Sequence, residues 1–277
     1  MTKPAVRRRV VVVENGRARR GEDRLTGEEP LEVRVNGRSL AVTMRTPGHD
    51  VELALGFLVS EGVITRRDQV RTARYCAGAT DEGVNTYNVL DVHVADDAHL
   101  DHVVLERHGV TSSSCGVCGK TSIDAVTTRS AFEVAADPLR VTTSTLAAMP
   151  DRLRAAQRVF DQTGGLHAAG LFDGRTGEPL VVREDVGRHN AVDKVVGWAL
   201  EHEKLPLSGC VLMVSGRAGF ELAQKASMAG VPMLAAVSAP SSLAVDLAES
   251  VGVTVVGFLR GESMVVYSRP DRVEVMA

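Results

Sequence analysis

The C-terminal half of the chain alternates aliphatic runs with segments of helical spacing, and this alternation is the strongest constraint on the fold. The runs are continuous rather than interrupted by polar residues, as is typical of strands in a sheet covered by helices on both faces. We predict strands at 168–172, 180–183, 211–214, 233–237, 253–259 and 264–267. The predicted helices lie at 191–201, 220–229 and 243–251. The sequence thus indicates an α/β domain over residues 138–277.

One further helix is expected ahead of these elements, over residues 142–160. Leu146, Met149 and Leu153 lie on one stripe at helical spacing. Because proline is disfavoured inside a helix, Pro150 favours a start at Met149 or later.

The N-terminal half has strand-like patterns around one helix. Apolar residues alternate on both sides of Asn36-Gly37, a dipeptide typical of a two-residue hairpin turn. Residues 49–64 have helical spacing, and residues 85–94 alternate again. We therefore predict a mainly-β N-terminal domain over 25–137, which makes the fold class α/β, with an α+β arrangement overall.

Residues 1–24 are rich in arginine and precede both predicted domains. Arginines mix there with Gly16, Gly21, Glu22 and Asp23, a composition that favours a flexible, solvated leader. Contact with an acidic partner is the alternative function for this segment.

Overall composition excludes several classes of protein. The 32 Lys and Arg against 35 Asp and Glu give a net charge of −3, so no general basic field indicates a nucleic-acid partner. Aromatic residues make up 4%, too few for a base-stacking surface. No apolar run approaches the roughly 18 residues of a membrane span, and a signal-peptide pattern is lacking. We therefore expect a cytoplasmic protein with neither a nucleic-acid nor a membrane partner.

Two of the four cysteines, Cys115 and Cys118, form a C-x-x-C pair in a Gly- and Ser-rich loop over 109–120. Thr121 and Asp124 match a capping box, which would place Cys118 just before a helix N-terminus, where the dipole favours the thiolate. A nucleophilic or redox-active thiol is therefore expected. The alternatives are half of a zinc site, completed by histidines upstream, and a thioredoxin-like motif; no second C-x-x-C or H-x₃₋₅-H follows.

His167-Ala168-Ala169 invites comparison with the H-x-E motif of zinc deaminases. The glutamate that those enzymes need as a proton shuttle is replaced by Ala169, and no P-C-x-x-C follows. A hydrolytic zinc centre is therefore disfavoured, although the order of elements is compatible with a deaminase-like fold without the metal. His167 is either a ligand-binding residue or a residue that ends a strand.

Three turns at predicted strand ends contain arginine and glycine, and two of them also contain serine, residue types that bind phosphate. The alternative for the first of them, at 183–194, is a solvated surface loop. The candidate binding residues, together with His167, are Arg188, His189, Asn190, Ser215, Gly216, Arg217, Phe258, Leu259, Arg260, Gly261, Glu262 and Ser263. This combination suits a phosphorylated, nucleotide-like ligand better than a small apolar one.

Three motifs together resemble those of the FdhD family, the sulfurtransferases required for formate dehydrogenase activity. They are C-G-V-C-G-K at 115–120, E-D-V-G-R-H-N-A-V-D-K at 184–194 and S-G-R at 215–217. The resemblance extends from about residue 46 to the C-terminus and leaves out the leader. It implies a cytidine-deaminase-like C-terminal domain without the zinc site, and a homodimer.

The resemblance also implies a function. Such a protein accepts sulfur from a cysteine desulfurase as a persulfide, and passes it to the molybdenum cofactor, Mo-bis(molybdopterin guanine dinucleotide), before insertion into formate dehydrogenase. Cys115 matches the persulfide-carrying cysteine, Cys118 is the second thiol, and residues 258–263 match the cofactor-binding stretch. Attack of the second thiol on the persulfide would expel sulfide toward the metal.

Two other functions compete with sulfur transfer. A non-catalytic chaperone would bind the cofactor without carrying sulfur, but it would not need the flexible C-x-x-C. A zinc-dependent deaminase-type hydrolase is disfavoured by Ala169.

Overall fold

The computed structural model describes residues 3–76, 87–99 and 130–275, and its first element is a β-hairpin. Strand β1 (Ala5–Glu14) pairs with β2 (Arg17–Thr26) in antiparallel register along its whole length. Asn15 and Gly16 form the turn with φ of 51° and 75°, the positive values that a type I′ turn requires. The flexible leader predicted over 1–24 is therefore wrong as a secondary-structure assignment, since a second Asn-Gly dipeptide specifies a hairpin there.

A four-stranded sheet follows, made of β3 (Glu29–Val35), β4 (Arg38–Arg45), β5 (Val70–Tyr75) and β6 (Val89–Val94). Its order is β4-β3-β6-β5, with β3 parallel to β6 and the other pairs antiparallel. The predicted hairpin at Asn36-Gly37 is confirmed. Helix α1 (Asp50–Ser60) confirms the helix expected between these strands.

The C-terminal half contains a six-stranded mixed sheet in the order β13-β12-β11-β10-β8-β9. Its strands are β8 (His167–Asp173), β9 (Pro179–Asp185), β10 (Cys210–Val214), β11 (Met233–Ala236), β12 (Thr254–Arg260) and β13 (Ser263–Ser268). The three central strands β10, β11 and β12 are parallel, and the others pair antiparallel. All six strands predicted from the sequence are confirmed.

Five helices belong to this half: α2 (Thr143–Ala155), α3 (Phe160–Thr163), α4 (Arg188–Glu201), α5 (Phe220–Met228) and α6 (Ser242–Val251). Helix α2 begins at Thr143 and contains Pro150 in its interior. The expected start at Met149 or later is therefore wrong, and the helix predicted over 142–160 ends at Ala155, with Phe160 beginning the next helix. The stripe of Leu146, Met149 and Leu153 is fully buried, and this packing outweighs the roughly 3 kcal/mol cost of an interior proline.

Short elements complete the described chain. They are β7 (Val141–Thr142), β14 (Val273–Glu274) and the 3₁₀ turns Arg67–Gln69, Val134–Ala136 and Pro270–Arg272. Strands β7 and β14 pair in parallel. None of the described helices has the length and apolar character needed to cross a membrane.

The six-stranded sheet has a hydrophobic core on each face. Along β10, Leu212 and Val214 join one cluster while Val211 and Met213 join the other. The second cluster is covered by α2, and the first by α4, α5 and α6. This arrangement confirms that helices cover both faces of the sheet.

The larger cluster also runs into the N-terminal half. It includes Leu31 and Leu90 from the first sheet together with Val195 and Leu234 from the second half. The boundary between 25–137 and 138–277 remains a prediction, and the hydrophobic side chains of this cluster are continuous across it.

Helices α1 and α4 cross at two glycines. A Cβ added to Gly56 would lie 1.8 Å from the carbonyl oxygen of Asp193, and one on Gly197 would lie 1.8 Å from that of Glu52. Backbone therefore lies directly on backbone, which fixes the start of α4, and with it the candidate site, against the N-terminal half.

Candidate functional site

The candidate binding residues lie along one edge of the six-stranded sheet. The carboxyl ends of the parallel strands β10, β11 and β12 meet at this edge. Strand β8 runs the other way, so its first residue, His167, lies at the same edge, opposite Asp185 at the end of β9. Ser215 is joined to Ala168 in both directions: Ser215 N donates to Ala168 O, and Ala168 N donates to Ser215 Oγ, each at 2.9 Å.

Two helix N-termini face this edge without a capping side chain. Helix α4 begins after Gly187 and α5 after Gly219, and neither glycine can satisfy the first N–H groups of its helix. Helix α6, by contrast, is capped by Ser241, whose hydroxyl accepts from Ala244 N. The first turn of α4 thus presents N–H groups and partial positive charge, an arrangement that binds anions, whereas the first turn of α5 already holds the Glu221 carboxylate.

Two side chains in the first turn of α4 have buried nitrogens without hydrogen-bond partners. His189 is 4% exposed, and neither of its ring nitrogens has a partner in the described parts of the chain. Its Nε2 lies 3.7 Å from Glu221 Oε2, beyond hydrogen-bond distance, and this imidazole holds the pKa of Glu221 below its usual range. Arg188 Nε is likewise buried and has no partner among the described residues. Since buried polar atoms are rarely left unsatisfied, these groups indicate a site for a ligand.

His167 is half-buried between these groups and the turn after β10. A Cβ added to Gly216 would lie 3.3 Å from His167 Nδ1, so the turn passes close over the ring. Burial lowers the pKa of His167, and the nearby Arg188 guanidinium and His189 lower it further. The ring is therefore predominantly neutral near pH 7.

A cleft of about 540 Å³ opens beside His167 and Ser215. Its other walls include Gln157, Phe160, Gly164, Gly165, Leu166 and Val237. Gln157 is almost fully buried. Sequence reasoning missed Gln157, Phe160, Leu166 and Glu221, because single residues of these types carry no local signal.

Several polar side chains of the segment 184–194 form contacts within the protein that stabilise the fold. Asp185 is fully buried, forms a 2.7 Å ion pair with Lys194, and accepts from Thr46 N and Gly187 N. Asn190 donates to Met44 O at 2.8 Å and to Asp185 Oδ1 at 3.0 Å. Its amide is thus occupied within the protein, and its role in cofactor binding remains a prediction.

Residues 258–263 form the turn from β12 to β13, at the other end of the same edge. Phe258 has φ of 50° and is 43% exposed, while Leu259 is buried in the second hydrophobic cluster. Arg260, Gly261, Glu262 and Ser263 are exposed, as is Arg217. Because two strand spacings separate β12 from β10, Phe258 lies about 10 Å from Ser215, and residues 260–262 lie farther along the chain beyond it. The structure thus places the turn on the same edge but outside the cleft.

Cys115, Cys118 and the loop 109–120 lie outside the described residues. The described chain stops at His99, whose N donates to Val63 O, and resumes at Ser130, whose Oγ donates to Ser227 O at 2.8 Å. Among the described residues, no group of three or more His, Cys, Asp or Glu side chains is placed to hold a metal ion.

The fold and this site define a mixed α/β protein with a cleft beside His167 at one edge of its C-terminal sheet. The FdhD/NarQ family model matches residues 26–274, and the chain belongs to this family. It is 60% identical over 98% of its length to the sulfur carrier protein FdhD of Streptomyces coelicolor, covering 96% of that protein. It is also 60% identical to the protein of the same name in Mycolicibacterium paratuberculosis, over 96% of this chain and 98% of that one.

A solved structure supports the fold. It is described as a putative formate dehydrogenase accessory protein from Desulfotalea psychrophila and has a TM-score of 0.74 and 22% identity, covering 98% of this chain and 99% of that one. The mixed α/β fold class is confirmed. The likeness of the C-terminal half to cytidine deaminases remains a prediction.

Proposed function

We propose that this protein carries sulfur to a molybdenum cofactor in the guanine dinucleotide form, which it binds at the cleft edge before the cofactor enters formate dehydrogenase. The observation that carries the binding part is the set of buried nitrogens without hydrogen bonds, Arg188 Nε and the ring nitrogens of His189, at the start of α4. A phosphate group would accept from them and from the free N–H groups of the helix. His167 would gain a proton when that phosphate binds beside it.

The far turn extends the proposed site. A ligand as long as a dinucleotide can contact both the cleft and residues 258–263, which begin about 10 Å away along the edge. Arg260 and the backbone of Gly261 are exposed and are the groups we expect to contact it. Leu259 is buried, so its side chain takes no part in binding.

The sulfur step is assigned to Cys115 and Cys118. The Cys115 thiolate attacks the outer sulfur of the persulfide on a cysteine desulfurase, and the desulfurase leaves as a thiolate. Cys118 then attacks Sγ of Cys115, which forms a disulfide and releases the outer sulfur as hydrosulfide for the metal. A dithiol reductant must afterwards restore the pair. Cys118 is twelve residues from Ser130, and such a length reaches at most about 40 Å, enough to cross the sheet from one edge to the other.

Intact-mass analysis after incubation with desulfurase and cysteine tests the sulfur step. We expect wild type and Cys118→Ala to gain the mass of one sulfur atom and Cys115→Ala to gain none. Cys118→Ala should retain the sulfur longer, because it lacks the thiol that expels it. Cys210→Ala is the matched control: burial raises the pKa of that thiol to about 11, so it is not a nucleophile near neutral pH. Sulfur uptake by Cys115→Ala would overturn the assignment.

A cofactor-binding chaperone is the second candidate, favoured by one observation: the described part of the cleft has features for binding but no thiol. The double variant Cys115→Ala/Cys118→Ala separates the two functions. Loss of formate dehydrogenase activation supports the sulfur carrier, and full activation by the double variant supports the chaperone. The cytoplasmic location and the homodimer belong to the proposal as well.

A further inference from the structure

The hairpin β1–β2 carries a charge opposite to that of the rest of the chain. Residues 3–26 contain eight Lys and Arg and three Asp and Glu, a net charge of +5. Since the whole chain has −3, the remaining residues carry −8. The hairpin also precedes all but one of the residues matched by the family model, which begins at 26. The family's shared activity therefore does not account for it.

The strand register divides the hairpin into two faces. Arg7 lies opposite Arg24, Arg9 opposite Glu22, and Val11 opposite Arg20. Because residues alternate between faces, these three pairs share one face, together with Val13. We call it the arginine face: Arg7, Arg9, Arg20 and Arg24 around Val11 and Val13. The two valines are 66% and 67% exposed, so the face combines positive charge with an apolar centre.

The charges of the arginine face are not neutralised. Arg7, Arg9 and Arg20 have no ion pair with any described residue, and Arg7 faces another arginine directly, a destabilising arrangement. Glu22 is the single acidic residue on this face.

The opposite face differs in this respect. There Arg8 lies opposite Asp23 and Arg17 opposite Glu14, and Arg19 forms a 3.4 Å ion pair with Glu14. The arginine face thus carries four arginines and one glutamate, a net charge of +3, whereas the opposite face carries three arginines, Glu14 and Asp23, a net charge of +1.

The base of the hairpin is attached beside the cleft. Thr26 Oγ1 donates to Thr163 Oγ1 at 3.1 Å, and Arg24 Nη1 donates to Gln162 Oε1 at 2.9 Å. A Cβ on Gly165 would lie 2.8 Å from Thr26 Oγ1. Gly165 lines the cleft, so the hairpin extends from the cleft mouth.

We infer that the arginine face is a docking surface for an acidic patch on apo formate dehydrogenase, the protein that takes up the ligand held in the cleft. This inference rests on the proposed function. Charge complementarity supports it, because an acidic patch would neutralise four arginines that this chain leaves largely unpaired. Position supports it too, because a partner bound there lies next to the ligand that it receives. The hairpin contains no aromatic residue, so the face lacks the stacking groups typical of single-stranded nucleic-acid binding.

Binding of full-length variants to apo formate dehydrogenase of the same organism, measured calorimetrically at low and moderate salt, tests the inference. Arg7→Glu/Arg20→Glu reverses two charges on the arginine face and places a carboxylate opposite Arg24, which favours the hairpin. Arg8→Glu/Arg19→Glu makes the same change in net charge on the opposite face. We expect the first variant to bind at least about tenfold more weakly and the second to change affinity less than about threefold. Wild-type affinity should fall as salt rises.

Equal effects of the two variants, or unchanged affinity of the first with an intact fold by circular dichroism, would overturn the inference. Binding through this face to anionic vesicles or RNA, but not to the apoenzyme, would overturn it too, because the partner would not be formate dehydrogenase. Sulfur uptake and guanine nucleotide binding by Arg7→Glu/Arg20→Glu should equal those of wild type. If wild-type protein itself took up no sulfur and bound no guanine nucleotide, that result would contradict the proposed function and not the docking surface.

Discussion

At the scale of single residues, the polar segment 184–194 divides into side chains that hold the fold and side chains left free for a ligand. Asp185 and Lys194 are fully buried and paired with each other. Arg188 and His189, on the same short segment, have buried nitrogens without partners among the described residues. Sequence composition identified the segment but could not tell the structural side chains from the free ones. The pairing of these charges depends on α1 and on the strand end at Thr46, which are distant in the sequence.

This division predicts opposite effects of two substitutions. Asp185→Asn leaves the buried ammonium of Lys194 without its carboxylate, so we expect the free energy of unfolding to fall by about 3–5 kcal/mol. Arg188→Gln should change it by less than about 1 kcal/mol but weaken guanine nucleotide binding about tenfold or more, through loss of a charged hydrogen bond. Urea denaturation and calorimetric titration measure the two quantities. Similar loss of stability in both variants would contradict the division.

A second prediction at this scale concerns His167 and pH. Burial, with Arg188 and His189, lowers its pKa below the ordinary 6.5, so between these two values the unfolded chain binds more protons than the folded one. The free energy of unfolding therefore rises with pH across that window and falls as pH drops below about 6.5. His167→Gln should lose this part of the dependence, so the difference between wild type and variant should shift between about pH 8 and about pH 5.5. Parallel profiles, or an NMR titration of His167 with an unshifted midpoint, would refute this.

At the scale of elements, local pattern predicted the C-terminal strands and helices because each is long, apolar and bounded by glycine or serine. It failed at β1 and β2, because Arg7–Arg9 and Val10–Val13 stand in blocks rather than in alternation, and no residue of either strand is fully buried. The Asn15-Gly16 turn was a local signal that would have found the hairpin, as Asn36-Gly37 did for β3 and β4. The start of α2 was predicted wrongly for another reason. Burial of its apolar stripe stabilises the helix despite Pro150, and this tertiary effect cannot be deduced from local sequence rules.

The crossing of α1 and α4 gives the prediction at this scale. Alanine favours a helix over glycine by about 1 kcal/mol, yet Gly197→Ala would place its Cβ 1.8 Å from Glu52 O, on the backbone of α1. We expect a loss of about 3 kcal/mol or more in urea denaturation, because the helices must separate.

Gly219→Ala is the matched control for this crossing, since the nearest atom to the added Cβ is the movable Glu221 Oε2 at 3.3 Å. At this N-cap position we expect a loss below about 1 kcal/mol. A stable Gly197→Ala protein would show that the two helices are not held at this distance in solution.

At the scale of the whole molecule, one hydrophobic cluster contains residues from both of the predicted domains. The cluster joins both sheets through α1 and α4, whereas the hairpin is largely exposed and contributes no residue to it. The candidate cleft depends on this union, because the start of α4 is fixed both by β9 and by the strand end at Thr46.

A shared core predicts cooperative unfolding. Fluorescence of Trp198, which packs against the cluster from α4, and far-ultraviolet circular dichroism, which reports all elements, should give one urea transition with the same midpoint. A chain that begins at residue 25 should keep that midpoint, because the hairpin lies outside the core. Two separated transitions would mean that the halves unfold independently. The cleft would then be assembled from two units rather than built on one, and the surroundings of the buried nitrogens at the start of α4 would depend on how those units dock.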